Sequence, residues 1–558
     1  CPTAARFFRR SGKTNIFTGN IMQKKDLLKE LTTEDMVGQL LCYDVYDKDD
    51  VNEVDEILRR IKPGGIFIGS VMSAEKIKHY TDVVNSVTKL PVIVASDIPD
   101  GPGNVIAGEE CFSSAMGRSA CGDIDLIKKA GALTAKACRK QGFTWDFAPV
   151  VDMAENINSP TANMGVSSDN ADDIIAQAGA FAEGLMEHNY VMPTLKHFPD
   201  GAGDDRNPHF CTVINRKSRE EWDKTDGRIY KTLFERGVPS VMIGHVSLPA
   251  YQTGFDNEND ALPATLSKEL ITDLLKGKLG FKGCVVSDAM SMIGAASRVD
   301  LDKLGVKFIK AGGDMILFPE STDFDELIKA CKNGEIPEER LKDAVSRIIF
   351  LKGKARLFEN QEELLKEINY DSEETKRLAD EIAEKSIKFV RNQNNILPLE
   401  LKKDAKILMC NLIHPFFNRP PTGKEFSVLK EELERHGYRV DSYDNIGHKK
   451  VREIMDGYDA IIVNSYIHPG LYHGGTLRIG WDNIMTFWRG YILKHPKLVF
   501  VSFGDPYKLY DFPYLKTYVN AFSESAATQR AVVKVLLGEK PMTAKNPVSF
   551  KGFFEKEI

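Results

Sequence analysis

Short, unbroken apolar runs recur along the first 350 residues, each closed by polar groups, with longer segments of helical spacing between them. The runs are QLLCYDV (39–45), GGIFIGS (64–70), PVIVASD (91–97), FTWDFAP (143–149), MPTLKHF (192–198), SVMIGHV (240–246), GCVVSDAM (283–290) and GGDMILF (312–318). Runs that stay apolar instead of alternating predict strands buried on both faces, as in a parallel sheet. Two intervening segments, DLIKKAGALTAKACRKQG (125–142) and ADDIIAQAGAFAEGLMEHN (171–189), space their apolar residues as amphipathic helices do. Eight strand–helix units over roughly 300 residues match the rhythm of a (β/α)8 TIM barrel.

Beyond residue 355 the pattern changes. Segments NQEELLKEI (360–368) and ETKRLADEIAEKSIKF (374–389) have helical spacing but little apolar mass, and predict a helical connector. Apolar runs then resume at 405–412, 459–466, 497–504 and 517–522, separated or followed by helical stretches such as 428–437 and 527–539. The expected organisation is a disordered extension over 1–21, a catalytic barrel over 22–355, a connector over 356–390, and a smaller α/β/α sheet domain over 391–558.

Composition narrows the class. A chain of 558 residues exceeds what one core usually serves. Its 42% hydrophobic and 28% charged content is ordinary for a globular protein. A net charge of −6 argues against a nucleic-acid partner, which would need clustered Lys and Arg. No apolar run approaches the roughly 20 residues of a membrane span, and the first residues lack the continuous apolar stretch of a secretory signal. Nine cysteines in an odd count without a CxxC pair predict reduced thiols and a cytoplasmic protein.

The ionisable residues gather at the downstream ends of the predicted strands: Asp97, Asp152, Lys196, His197, His245 and Asp288. One strand-end aspartate alone would be read as a helix cap; a barrel brings all of these ends to one face, where such folds place their chemistry. Lysine and histidine beside carboxylates suit a polyhydroxylated ligand, and a carboxylate among cationic neighbours stays ionised, as a nucleophile must. The loop DGAGDDRNPHF (200–210) adds His209, whose side chain titrates near neutrality and suits a general acid/base. Neither a dinucleotide fingerprint, a phosphate-binding loop nor an HExxH zinc motif occurs, so no cofactor or metal is expected.

Taken together, these motifs resemble glycoside hydrolase family 3, in its β-N-acetylglucosaminidase branch. Lys196-His197-Phe198-Pro199-Asp200 is similar to that family's K-H-F-P-G loop, and Asn207-Pro208-His209 to its D-x-H pair. Ser287-Asp288-Ala289-Met290-Ser291-Met292 is similar to the setting of its aspartate nucleophile, and the segment from Asp146 to Asp152 to its N-F-A-P-V-x-D. The resemblance implies a carbohydrate substrate and a retaining, exo-acting β-N-acetylhexosaminidase. Asp288 would be the nucleophile and His209 the acid/base, with Asp97, Asp152, Lys196, His197 and His245 gripping the sugar. Three departures stand out: Asn207 replaces the dyad's aspartate, TANMG (161–165) replaces a G-x-R-S-F stretch whose arginine contacts sugar, and Asp200 replaces glycine. Asn207 can still hold the imidazole, with Asp204 or Asp205 as substitutes for the missing charge. Alternatives are a β-glucosidase using Glu524, a glycoside phosphorylase, and a catalytically silent sugar-binding protein. A homodimer is left open.

Overall fold

The computed structural model describes residues 27–160, 163–413, 425–467 and 479–557; the stretch 1–21 read as an extension lies outside them. Eight strands form the first sheet: β1 (Leu41–Val45), β2 (Gly65–Ile68), β3 (Ile93–Ser96), β4 (Trp145–Asp146), β5 (Met192–Phe198), β6 (Ser240–Ile243), β7 (Cys284–Ser287) and β8 (Ile316–Leu317). They pair in the order β8-β1-β2-β3-β4-β5-β6-β7, all parallel. A parallel bridge between Val286 and Met315 joins the ends and closes the barrel. The runs GIFI, IVAS, SVMI and CVVS are buried at every position, because helices cover the barrel outside and side chains fill it inside. Inside, Trp145 meets Phe147 edge-on at 4.7 Å between centroids, and Phe67 stacks on Phe147 at 5.7 Å. The indole N–H of Trp145 donates to the Ser240 hydroxyl (2.9 Å), so this buried donor is satisfied.

The two segments with helical spacing form α1 (Ile124–Gln141) and α2 (Ala171–Met186), capped by Asp123 and Asn170. These helices cross at a glycine contact. A β-carbon on Gly131 would lie 2.3 Å from the Phe181 carbonyl, and one on Gly184 would lie 2.1 Å from that of Lys128. Close backbone approach therefore demands glycine at both positions.

The second domain holds β9 (Lys388–Asn392), β10 (Lys406–Ile413), β11 (Arg439–Asp444), β12 (Ala460–Tyr466), β13 (Leu498–Ser502) and β14 (Thr517–Asn520). Their order is β9-β14-β13-β12-β10-β11, with only β9 antiparallel to its neighbour. Helices α3 (Ser372–Ser386) and α4 (Ala526–Leu536) pack together beside this sheet. The α3 segment has more apolar mass than its charge suggests. Leu378, Ala379, Ile382 and Ala383 are buried in one apolar cluster with Ile127 and Leu133 of α1 and Val532 of α4, so barrel and sheet domain share a core. The C-terminal segment returns to the barrel: Ser168 Oγ donates to the Pro547 carbonyl (3.0 Å) and Ser549 N to Asp169 (2.8 Å). The eight described cysteines are free thiols. No helix among the described residues is long and apolar enough to cross a membrane.

Candidate active site

The site grows from the downstream ends of β3, β4, β5 and β7. At the end of β5, Lys196 Nζ lies 2.5 Å from Asp97 Oδ1, the residue after β3. Burial lowers the lysine pKa, but Asp97, and behind it Asp288, outweigh that and leave it raised and cationic. Next along, His197 is held twice by Asp152, through its backbone N–H (3.0 Å) and through Nδ1 (2.9 Å). That pairing fixes the imidazole so that Nε2 is the atom left free.

Asp288 follows β7 directly. Its backbone N–H donates to Ile243 O of β6 (2.9 Å), and its Oδ1 accepts from Ala289 N (2.8 Å). Burial pushes its pKa up; the His197 and His245 rings, the Ala289 N–H and the His209 ring outweigh it, and the net shift is downward. The carboxylate is therefore ionised and nucleophilic.

His209 reaches this carboxylate because its loop is bolted to the turn after β7. Ile293 N donates to His209 O (3.3 Å), Gly294 N to Pro208 O (3.1 Å), and Thr212 Oγ1 to Gly294 O (2.8 Å). A β-carbon at Gly294 would lie 2.5 Å from Pro208 O, which is why this contact needs glycine. Asn207 Oδ1 accepts from both the backbone N–H of His209 (3.0 Å) and its Nδ1 (2.8 Å). With the Nδ1 proton engaged there, Nε2 is the titrating nitrogen. Burial lowers the His209 pKa below the ordinary 6.5; Asp288 opposes this, and the two other histidines reinforce it.

Three expected roles need correction. Asp204 does not support His209: its carboxylate is engaged by Arg206 (2.6 Å), Arg216 (3.4 Å) and Ile214 N (3.1 Å), and although burial raises its pKa, Arg206 and the Ile214 N–H outweigh that and hold it down at about 2. It braces the loop instead. Asp205 is exposed to solvent, while Nδ1 of His209 is already taken by Asn207. His245 is fully buried, with Nδ1 against Thr265 Oγ1 (2.7 Å) and Nε2 donating to Ala289 O (2.9 Å). Burial depresses its pKa, with Asp288 and the bond to Ala289 opposing. With both nitrogens engaged it cannot grip a sugar; it positions the peptide after Asp288.

Two residues not singled out for the site belong to its frame. Asp146, at the end of β4, is fully buried, with Oδ1 accepting from Ile98 N (3.0 Å) and Oδ2 without a hydrogen-bond partner among the described residues. Burial raises its pKa to about 8, with Asp97 adding to the shift and Lys196 and Arg118 opposing it. It is protonated at neutral pH. Its folded pKa lies above the unfolded 3.8, so its contribution is complete below that value and is lost as pH rises towards about 8. Asp146→Asn should therefore gain on the parent protein by at most about 1.4 kcal/mol per pH unit between pH 6 and 8, read from denaturant midpoints. A difference that stays constant with pH would mean that Asp146 is ionised. The second is Asp100, whose pKa burial raises to about 6, with Arg118 opposing and Glu524 of the sheet domain adding. Glu524, bonded by the Tyr466 hydroxyl, thus faces Asp100 across the domain boundary, and it is not among the groups that shift Asp288 or His209. Asn163, in the stretch that replaces the expected arginine, is buried with both side-chain polar atoms unpaired among the described residues.

A model of the glycosyl hydrolase family 3 N terminal domain matches residues 32–351. The chain belongs to this family, and it is a glycoside hydrolase. It is 26% identical over 543 residues to a beta-N-acetylglucosaminidase/beta-glucosidase of Cellulomonas fimi, covering 93% of this chain and 94% of that protein. It is 30% identical over 344 residues to the beta-hexosaminidase LpqI of Mycobacterium tuberculosis, covering 58% of this chain and 83% of LpqI. The structure superposes on the beta-glucoside phosphorylase BglX bound to 2FGlc with a TM-score of 0.85 and 27% identity, covering 95% and 96% of the two chains.

Proposed function

We propose that this glycoside hydrolase removes terminal β-N-acetylhexosamine units with retention of configuration. The observation that carries the reading is the pairing of an ionised Asp288 with a His209 whose Nδ1 is fastened, leaving Nε2 to exchange protons. In the first step an Asp288 oxygen bonds to the anomeric carbon as the glycosidic C–O bond breaks, and the Nε2 proton passes to the leaving oxygen. In the second, Nε2 takes a proton from water, whose oxygen attacks the anomeric carbon and releases Asp288. Lys196–Asp97 and His197–Asp152 present cationic and hydrogen-bonding groups to the sugar hydroxyls. The N-acetyl preference is supported by the printed activities of the C. fimi enzyme and LpqI.

A second reading has its own support. The similarity to BglX runs over 95% of the chain, and a histidine acid/base without a partner carboxylate repels an incoming phosphate less than a glutamate would. Phosphate oxygen, in place of water, would then attack the same glycosyl-Asp288. Nitrophenyl β-glycosides assayed with and without phosphate separate the two. The expected result is release of free N-acetylhexosamine at a rate indifferent to phosphate; accumulation of a sugar 1-phosphate would make the protein a phosphorylase.

A further inference from the structure

Asp200 stands directly after the Lys196-His197-Phe198-Pro199 run, at a φ of 81°, a left-handed conformation that L side chains adopt at a cost. The side chain nevertheless points inward and is almost fully buried, at 1% exposure. Its two oxygens bridge the two halves of the site. Oδ2 accepts from Met153 N (3.1 Å), the residue after Asp152, and Oδ1 from Ala202 N (2.7 Å), at the root of the loop that carries His209. Asn215 Nδ2 adds a bond to the Asp200 carbonyl (2.9 Å), and Trp222 Nε1 bonds that of Pro199 (2.9 Å).

Behind Asp200 lies a charge cluster that reaches the surface at Glu155. Its carboxyl lies beside that of Asp226, and Asn215 Nδ2 reaches both residues, 2.9 Å from Asp200 O and 3.4 Å from Asp226 Oδ2. Lys217 Nζ lies 2.8 Å from both Asp226 oxygens, 2.9 Å from Glu155 and 3.8 Å from Asp200 Oδ2. Asp152 and the buried Tyr230 complete the titratable surroundings. With Asp200 and Asp226 both buried and a single lysine between them, the pair favours a shared proton over two charges.

We propose that Asp200 is a positioning residue, a latch that ties the His209 loop to the Asp152 strand end through its carboxyl pair with Asp226. The loop is thereby ordered before substrate binds, and the cost of ordering it is not charged to the transition state. The proposal deepens the preceding one, resting on His209 as the acid/base. Burial, and after it Asp226 and Asp152, raise the Asp200 pKa, with Lys217 opposing. A raised carboxyl pKa means that the latch is intact at low pH and loosens as pH climbs through the folded value.

Two variants test this. Glycine relieves the φ strain at 200 while deleting both bridging bonds, so Asp200→Gly should fold. Asp226→Asn supplies a permanent N–H to Asp200 and an oxygen to Lys217, restoring the pair without a titrating proton. The readouts are amide hydrogen exchange over 200–212, corrected for intrinsic pH dependence, and kinetics on aryl glycosides with good and poor leaving groups. In Asp200→Gly, loop exchange should rise about tenfold and kcat on the poor leaving group should fall about tenfold, with KM nearly constant. Asp226→Asn should match the parent protein at neutral pH and lose its alkaline loosening. Unchanged exchange and kcat in Asp200→Gly, or an Asp226→Asn loop as loose as that of Asp200→Gly, would overturn the latch. A loosened loop that slows good and poor leaving groups equally would uphold the latch and remove His209 as the acid.

Discussion

Asp288→Ala should lower kcat about ten-thousandfold or more on every β-glycoside, with the thermal unfolding midpoint close to that of the parent protein. The rate effect follows from the mechanism: without the carboxylate no glycosyl-enzyme forms, and the neighbouring carboxyls are otherwise engaged. Asp97 and Asp152 are committed to Lys196 and His197, and Asp146 is protonated. The modest stability effect follows from the contacts. Asp288 contributes one side-chain bond, to the peptide that follows it, and its backbone bond to Ile243 survives the substitution. Removal of a partly buried anion also relieves a desolvation cost, at the loss of its attraction to the neighbouring rings. A folded Asp288→Ala protein that still turns over aryl glycosides within about tenfold of the parent rate would take Asp288 out of the mechanism.

The parts of the fold that could be read from the residues are those whose burial is complete. β2, β3, β6 and β7 are buried at each position, so their apolar runs have no competing interpretation. β9 (KFVRN) and β11 (RVDSYD) escape the same reading because they are edge strands: β11 buries only Val440, and β9 fully buries only Lys388. Without a covered face there is no apolar run to find. At the site, strand-end position locates Lys196, His197, Asp97, Asp152 and Asp288 together, since barrel topology alone converges those ends. It does not say which way a side chain turns, and His245 turns into the wall towards Thr265 and Ala289. Nor does it reveal charge pairing within a loop, where Arg206 and Arg216 claim Asp204. Asp146 shows the limit most sharply. Placed on a strand by its neighbours, it looks like any other acidic strand end, and only three-dimensional burial converts it to a neutral acid.

His209→Ala should slow glycosides with poor leaving groups about a hundredfold or more, while activated aryl glycosides, which depart with little protonation, lose far less in the first step. With those activated substrates the second step becomes limiting, because water has lost its base. Added azide, a nucleophile that needs none, should then restore turnover and yield a glycosyl azide. The pH profile carries the same information in the intact protein. Glycosylation needs His209 protonated, and burial holds its pKa below 6.5, so kcat/KM should fall with rising pH from a point below the usual histidine range. Asn207 is the reason that no partner charge corrects this: it fixes the ring as an aspartate would, but its Oδ1 is neutral and its buried Nδ2 has no partner among the described residues. Asn207→Asp should therefore move the alkaline limb upward, since the new carboxylate stabilises the imidazolium through the contact already made at Nδ1. An alkaline limb unmoved by Asn207→Asp, together with equal losses on both leaving groups and no azide rescue in His209→Ala, would show that the ring serves binding alone. The proton would then have to come from elsewhere in the cleft, with Glu524 as the next carboxyl to replace.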